Sequence, residues 1–329
     1  MEPIAPLDEV YSVVDALRKR LCAAIVGRDD VIDLVINALL SDGHVLLEDY
    51  PGSGKTTLAK ALGEALIASQ PGGKIASMRR VQFTPDLLPS DVTGCTIFDP
   101  DERAFHFRAG PIFSHVLLAD EINRTSPKVQ AALLEAMAEK QCTVDNQTHR
   151  LDDLFFVIAT QNPLDLAGTF PLPTAQLDRF MFKIRMHHID MASEVDLLMR
   201  ISEIRNDPGS KLPLVNCRDV ISARIAIEKR VHIAPAIKQA LVTFADATRN
   251  SNAVLQGVST RSLVLCLSAL QTRALMMGRD YVIPSDIEHL APFIFAHRLM
   301  IAPGGGSPED IVVECLKTPL EMLAKAKLN

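Results

Sequence analysis

Leu46-Leu47-Glu48-Asp49-Tyr50-Pro51-Gly52-Ser53-Gly54-Lys55-Thr56-Thr57 decides how this chain is read. The stretch closes a short apolar run, His44 to Glu48, and opens a helical pattern that runs from Thr56 to Leu66. Strand, tight glycine turn and helix form the first half of an α/β unit. The glycines let backbone N–H groups turn inward, the lysine supplies a cation, and the helix behind adds the positive end of its dipole. Pro51, Gly52, Ser53, Gly54, Lys55, Thr56 and Thr57 are therefore predicted to cradle phosphates, with the Thr56 hydroxyl on a Mg²⁺ ion. One position departs from the pattern, which asks for glycine at 49 where the chain has Asp49. A carboxylate about 8 Å from a phosphate costs about 2 kcal/mol per unit charge at an effective dielectric of about 20, which predicts weaker nucleotide binding.

Further apolar runs lie at His115 to Ala119 and Leu154 to Thr160, and another strand is expected at Phe180 to Met186. Unbroken runs of this kind belong to strands covered on both faces. Thr125 to Glu139 places Val129, Ala132, Leu133 and Ala136 on one helical face, and Leu7 to Leu21 and Asp30 to Leu40 also carry helical spacing. The expectation is an α/β fold with a parallel sheet over 44–188. After Asp190 the strand signals fade. Helices are predicted at 192–206, 217–229, 235–249, 259–277, 284–299 and 308–325. Pro303-Gly304-Gly305-Gly306 marks a hinge before the last, with Ser307 as N-cap and Pro308 at its first position. The predicted division is 1–190 for an α/β nucleotide-binding domain and 191–329 for an all-helical domain. Two hairpins interrupt the first, Cys95 to Arg108 and Gln141 to Leu151.

The 329 residues are 48% hydrophobic and 22% charged. That balance excludes wholesale disorder and suits about two domains. Lys and Arg number 34 against 40 Asp and Glu, a net charge of −6, and the pI is about 5.9. A generally basic nucleic-acid binder is disfavoured. No apolar run approaches the roughly 18 residues of a membrane span. Met1-Glu2-Pro3-Ile4 lacks the pattern of a secretory leader. A cytoplasmic protein is expected, with Cys22, Cys95, Cys142, Cys217, Cys266 and Cys315 as reduced, mostly buried thiols.

Leu117-Leu118-Ala119-Asp120-Glu121 ends a strand in two acids, at the carboxyl edge where open α/β sheets bind ligands. Asp120 suits a Mg²⁺ ligand and Glu121 a base for an attacking water. Asn162, in Ala159-Thr160-Gln161-Asn162-Pro163, suits orienting that water. Arg179, in Gln176-Leu177-Asp178-Arg179-Phe180, suits a neighbouring subunit's site. Ser259 caps a helix whose first turn carries Arg261, placed to reach the phosphates across the domain cleft.

Taken together these segments resemble the MoxR family of AAA+ ATPases, over roughly 8–325. Gly110-Pro111-Ile112-Phe113, Leu117 to Arg124, Ala132 to Met137, Ala159 to Pro163 and Gln176 to Phe180 carry the resemblance. It implies ATP and Mg²⁺ as cofactors, with Lys55 and Thr56 as Walker A, Asp120 and Glu121 as Walker B, Asn162 as sensor 1, Arg179 as arginine finger and Arg261 as sensor 2. Arg124 is a second candidate for reaching across a subunit boundary. The helical domain becomes a lid. The hairpins match inserts that project toward a central pore, the working form becomes a homo-oligomeric, hexameric ring, and the role becomes remodelling, maturation or metal insertion for a client, often through a von Willebrand factor A domain protein.

Two rival readings remain, a weakly hydrolysing nucleotide-dependent scaffold and a DNA-linked motor, the latter disfavoured by the acidic pI. His187-His188 lacks a third ligand at zinc spacing, so metal binding there is not expected. Phe105 and Phe107 either grip a client or pack their hairpin onto the body.

Overall fold

The computed structural model describes residues 4–48, 53–67, 75–163, 168–206, 209 and 211–325. Helices α1 (Leu7–Ala24) and α2 (Asp29–Leu40) precede β1 (Val45–Glu48), α3 (Lys55–Ala65) and the short β2 (Leu66–Ile67). Then come β3 (Ala76–Gln82), α4 (Pro89–Thr93), the hairpin β4 (Gly94–Asp99) and β5 (Ala104–Ala109), β6 (Ser114–Asp120) and α5 (Pro127–Glu139). A second hairpin, β7 (Gln141–Val144) and β8 (Gln147–Arg150), leads to β9 (Phe156–Gln161), α6 (Thr174–Leu177) and β10 (Phe182–Arg185). The remainder is α7 (Met191–Asn206), β11 (Val215–Asn216), α8 (Cys217–Arg230), α9 (Pro235–Arg249), β12 (Val254–Gln256), α10 (Thr260–Met276), α11 (Pro284–Phe295), β13 (Met300–Ile301) and α12 (Pro308–Lys325).

Five strands form one parallel sheet in the order β10-β1-β9-β6-β3. Glu48 pairs with Gln161 on one side and Arg185 on the other, so the strands end level. Strand direction sends alternate residues to opposite faces. Val45, Leu47, Val116, Leu118, Phe156 and Ile158 face the helices α1 to α3, while Leu46, Leu117, Ala119, Val157 and Ala159 face α5. Both faces are covered, which is why the three inner strands, β1, β6 and β9, read as nearly unbroken apolar runs.

The two edge strands differ: β10 alternates Phe182 and Ile184 with Lys183 and Arg185, and β3 departs further. Its sequence, Ala-Ser-Met-Arg-Arg-Val-Gln, buries only Val81. It is an edge strand, and an apolar-run criterion misses it. The helical part of the chain follows the expected segments, with additions no periodicity announces. The predicted helix 284–299 stops at Phe295 and continues as a 3₁₀ turn over 296–298. Short strand pairs join β11 to β2 and β12 to β13.

The apolar core does not break at residue 190. One buried cluster runs from the sheet through α1 and α2 into α8–α12. Polar groups bind the same seam. Arg20 of α1 donates to the carbonyls of Leu212 (2.6 Å) and Pro213 (2.9 Å), and Asn37 of α2 to that of Ala269 (3.0 Å). All six cysteines are free. Cys142, Cys217 and Cys266 are buried, Cys22 and Cys315 half-buried and Cys95 exposed, so burial is less complete than expected.

Two buried histidines show opposite electrostatics. His44 accepts the Val157 amide at Nδ1 (3.1 Å) and burial lowers its pKa to about 4, so it is neutral. His115, where β6 begins, lies 3.3 Å from the Asp152 carboxylate and beside the Cys217 thiol of α8. Burial opposes its charge, yet the nearness of the Asp152 carboxylate and the Cys217 sulfur prevails and raises its pKa to about 9. A raised base stabilises the fold fully below its unfolded pKa, and the contribution fades as pH climbs through the folded one. Stability should therefore fall between pH 6.5 and about 9, by on the order of 2 kcal/mol. In thermal melts across this range His115→Gln should flatten the slope. An unchanged slope would assign it to other groups.

Candidate active site

The phosphate-loop residues Asp49, Pro51 and Gly52 lie outside the described residues, and the structure takes up the loop at Ser53. Gly54 sits at φ +93, a left-handed conformation glycine adopts without strain. It hands the chain to Lys55, the first residue of α3, which has no side-chain cap. The first N–H groups of a helix take their acceptors from outside it. The Ser53 hydroxyl is buried and has no hydrogen-bond partner among the described residues. A buried donor without an acceptor is costly, and a phosphate oxygen supplies one. Lys55 is half-buried, and Thr56 and Thr57 are exposed on the first turn.

The acids stand at the same edge. Asp120 ends β6, 7% exposed, and accepts bonds from the Thr160 hydroxyl (2.6 Å) and Arg80 (2.8 Å). Glu121 follows in the left-handed region, φ +57 and ψ +49. For a residue other than glycine that costs about 1 kcal/mol or more and must be held by neighbours. The Glu121 amide donates to the oxygen of Thr160 (2.9 Å), and its carboxylate accepts from Gln82 (2.7 Å) with Arg124 Nε at 3.2 Å. Thr160 therefore ties both acids through one hydroxyl. Glu48, at the end of β1, is held by Gln161 (2.6 Å), Lys183 (2.6 Å) and Arg185 (3.0 Å). Burial opposes its ionisation, but these partners hold its carboxyl below the usual range.

Asn162, half-buried, follows the end of β9. Arg179 is half-buried after α6 and donates to the Leu134 carbonyl of α5 at 2.8 Å. Ser259 caps α10 by accepting the Ser262 amide, and Arg261 stands in the first turn as expected. The Arg261 guanidinium lies 3.9 Å from the Asp178 carboxylate. Arg124, read as reaching outward, turns onto Glu121 of its own chain.

A cavity of about 380 Å³ opens beside Ser53, Gly54 and Thr57. Its other walls are Ala24 to Val26, Arg28, Met186 to Ile189, and Glu194, Leu197, Ile201 and Ile204 of α7. A largely apolar slot with a few polar groups, ending at a phosphate loop, has the shape for a flat heterocycle with an anionic tail. His187 and His188 are walls of this slot. Gly27, at φ +69, lets the 24–28 loop press on α7, since a Cβ there would meet that of Ser193 at 2.6 Å. Arg80, Gln82, the bridging role of Thr160 and the slot itself escape the sequence reading, although Thr160, Met186, His187, His188 and the α7 walls lie in segments it marked for other reasons.

The hairpins divide the two phenylalanines. Phe107 stacks on His149 of the other hairpin, centroids 3.7 Å apart, while Phe105 is 72% exposed beside Phe98.

Residues 44–182 match the ATPase family associated with various cellular activities (AAA), and residues 246–314 match the AAA lid domain. An uncharacterised protein, YeaC of Bacillus subtilis, is 43% identical over 96% of this chain and 98% of its own. Chaperone MoxR1 of Mycobacterium tuberculosis is 35% identical over 89% of this chain and 78% of its own. A crystal structure from Cytophaga hutchinsonii, provisionally described as an ATPase, superposes with a TM-score of 0.81 at 33% identity, covering 94% of both chains.

Thr160→Val preserves volume and removes both bonds that orient the acids. Hydrolysis of ATP should fall about tenfold, equivalent to about 1.4 kcal/mol, with nucleotide affinity within about threefold. Turnover by a folded variant at the original rate would remove Thr160 from this role.

Proposed function

The chain belongs to the MoxR family of AAA+ ATPases, and from that premise we propose that it hydrolyses ATP inside a closed ring of identical subunits to remodel a client protein. Its chaperone-like ATPase character follows from the family. The observation that carries the mechanism is the pair Asp120 and Glu121, tied by Thr160 at the carboxyl edge of the sheet, with the start of α3 and a buried Ser53 hydroxyl that has no partner among the described residues at the phosphate loop.

In this reading the base enters the slot between the 24–28 loop and α7. The phosphates lie on the N–H groups at the start of α3, with Ser53 and Lys55 as donors. Thr56 and Asp120 are the oxygen ligands available to Mg²⁺, which when bound neutralises charge on the phosphate oxygens. Glu121 takes a proton from the water as its oxygen bonds to the γ-phosphorus and the bond to the bridging oxygen breaks. Asn162 holds that water in line. Arg261 reaches in from the lid, residues 191–329 in our division, and Arg179 comes from the next subunit after leaving the Leu134 carbonyl. Six subunits, a von Willebrand factor A domain partner, metal insertion as one form of client work and a cytoplasmic location rest on the family's pattern. Among the described residues no helix is long and apolar enough to cross a membrane.

Glu121→Gln keeps the shape and removes the base. It should bind ATP normally and turn over at least about a hundredfold more slowly. Specific activity of the native chain should rise with protein concentration as rings assemble. Arg179→Ala should be inactive alone and regain activity when mixed with Glu121→Gln, which supplies the missing arginine. Concentration-independent turnover with no gain on mixing would place the whole site in one chain.

A further inference from the structure

Arg179 is flanked by two residues that the lid holds in place. Arg298, 3% exposed, donates Nε to the Asp178 carboxylate (2.6 Å) and Nη2 to the carbonyls of Asp178 (3.1 Å) and Phe180 (2.8 Å). His297 adds a bond to the Phe180 carbonyl at 3.2 Å. From α10, Ser262 donates to the same carboxylate oxygen at 3.1 Å. Arg261, one residue before it, stands off the other oxygen at 3.9 Å with its side chain 62% exposed.

We propose that Asp178 is a positioning residue through which Arg261, reading the nucleotide of its own subunit, sets the Arg179 that this subunit lends to its neighbour. The inference rests on the ring reading above. Arg298 and Ser262 hold the carboxylate tightly, whereas an exposed ion pair at the distance of Arg261 holds weakly. A triphosphate carries more negative charge than one carboxylate and draws Arg261 away. Ser262 shares the first turn of α10 with Arg261, so that turn cannot move without pulling Asp178. The carbonyls of the residues on either side of Arg179, Asp178 and Phe180, are fastened to Arg298, so the backbone that aims the guanidinium follows the lid. Two successive sites in the ring are thereby coupled through one side chain.

Removing the carboxylate outright would strand the buried Arg298 charge, so the test uses Asp178→Asn, which keeps an oxygen for Arg298 and Ser262. A folded variant, checked by its melting temperature, should lose about tenfold in kcat with ATP affinity within about threefold, and the cooperativity of rate against ATP concentration should vanish. Mixing it with Glu121→Gln should restore activity, because the partner brings an intact Asp178 and Arg179 to a site whose Glu121 is present. Ser262→Ala, a smaller lesion that leaves the Arg298 pair whole, should lose about threefold and be restored the same way. Wild-type kinetics in both folded variants would overturn the proposal. So would a loss that Glu121→Gln fails to restore while it does restore Arg179→Ala, since Asp178 would then act only within its own subunit. If Arg179→Ala itself is not restored, the ring reading fails and takes this inference with it.

Discussion

In a parallel sheet every strand ends on the same side, and that constraint organises the molecule. Glu48, Asp120 and Gln161 close β1, β6 and β9 within one residue of the same level. The strand order places β1 between β10 and β9, so the chain leaves β1 at the point where connections depart in opposite directions. Ligands of open sheets bind in the crevice at such a point. The groups that follow the strand ends, the phosphate loop, the acid pair and Asn162, need no long-range search to meet. They need only rigid strands of the right length, which two apolar faces supply.

Much of this was legible because burial on both faces leaves a plain trace. The runs at 44–48, 115–119 and 154–160 each became an inner strand, and the segment at 180–186 became the edge strand β10. The Ser259 cap was legible for a local reason, since one hydroxyl and one orphan amide decide it. The edge strand β3 was not, because a strand exposed along one side carries residues such as Arg79 and Arg80 that an apolar criterion discards. Losing β3 meant losing Arg80 and Gln82, the two partners it brings to the acids. The slot walls were hidden for another reason. Ile25, Leu197 and Ile201 act by shape alone, and nothing in their chemistry separates them from ordinary core. His187 and His188 suggested ligands by type, but their place in the fold is a cavity wall.

The seam between the two parts of the chain also qualifies the idea of a loose lid. Burying apolar surface stabilises by about 25 cal/mol per Å², and a cluster continuous from sheet to α12 shares that gain across both parts. Arg20 and Asn37 add bonds that cross in the same place. Among the groups at this seam Arg261 is held lightly, and Arg298 beside it is bonded tightly.

The stack of Phe107 on His149 has a mechanical consequence. It is the aromatic contact between two hairpins that lead into different strands, β5 toward β6 and Asp120, β8 toward β9 and Thr160. A tug on the exposed tip at Phe105 is shared by both arms while the rings stay face to face. Such a contact is worth about 1 kcal/mol, so the arms travel together under a light load and slip apart under a heavy one, as a clutch does.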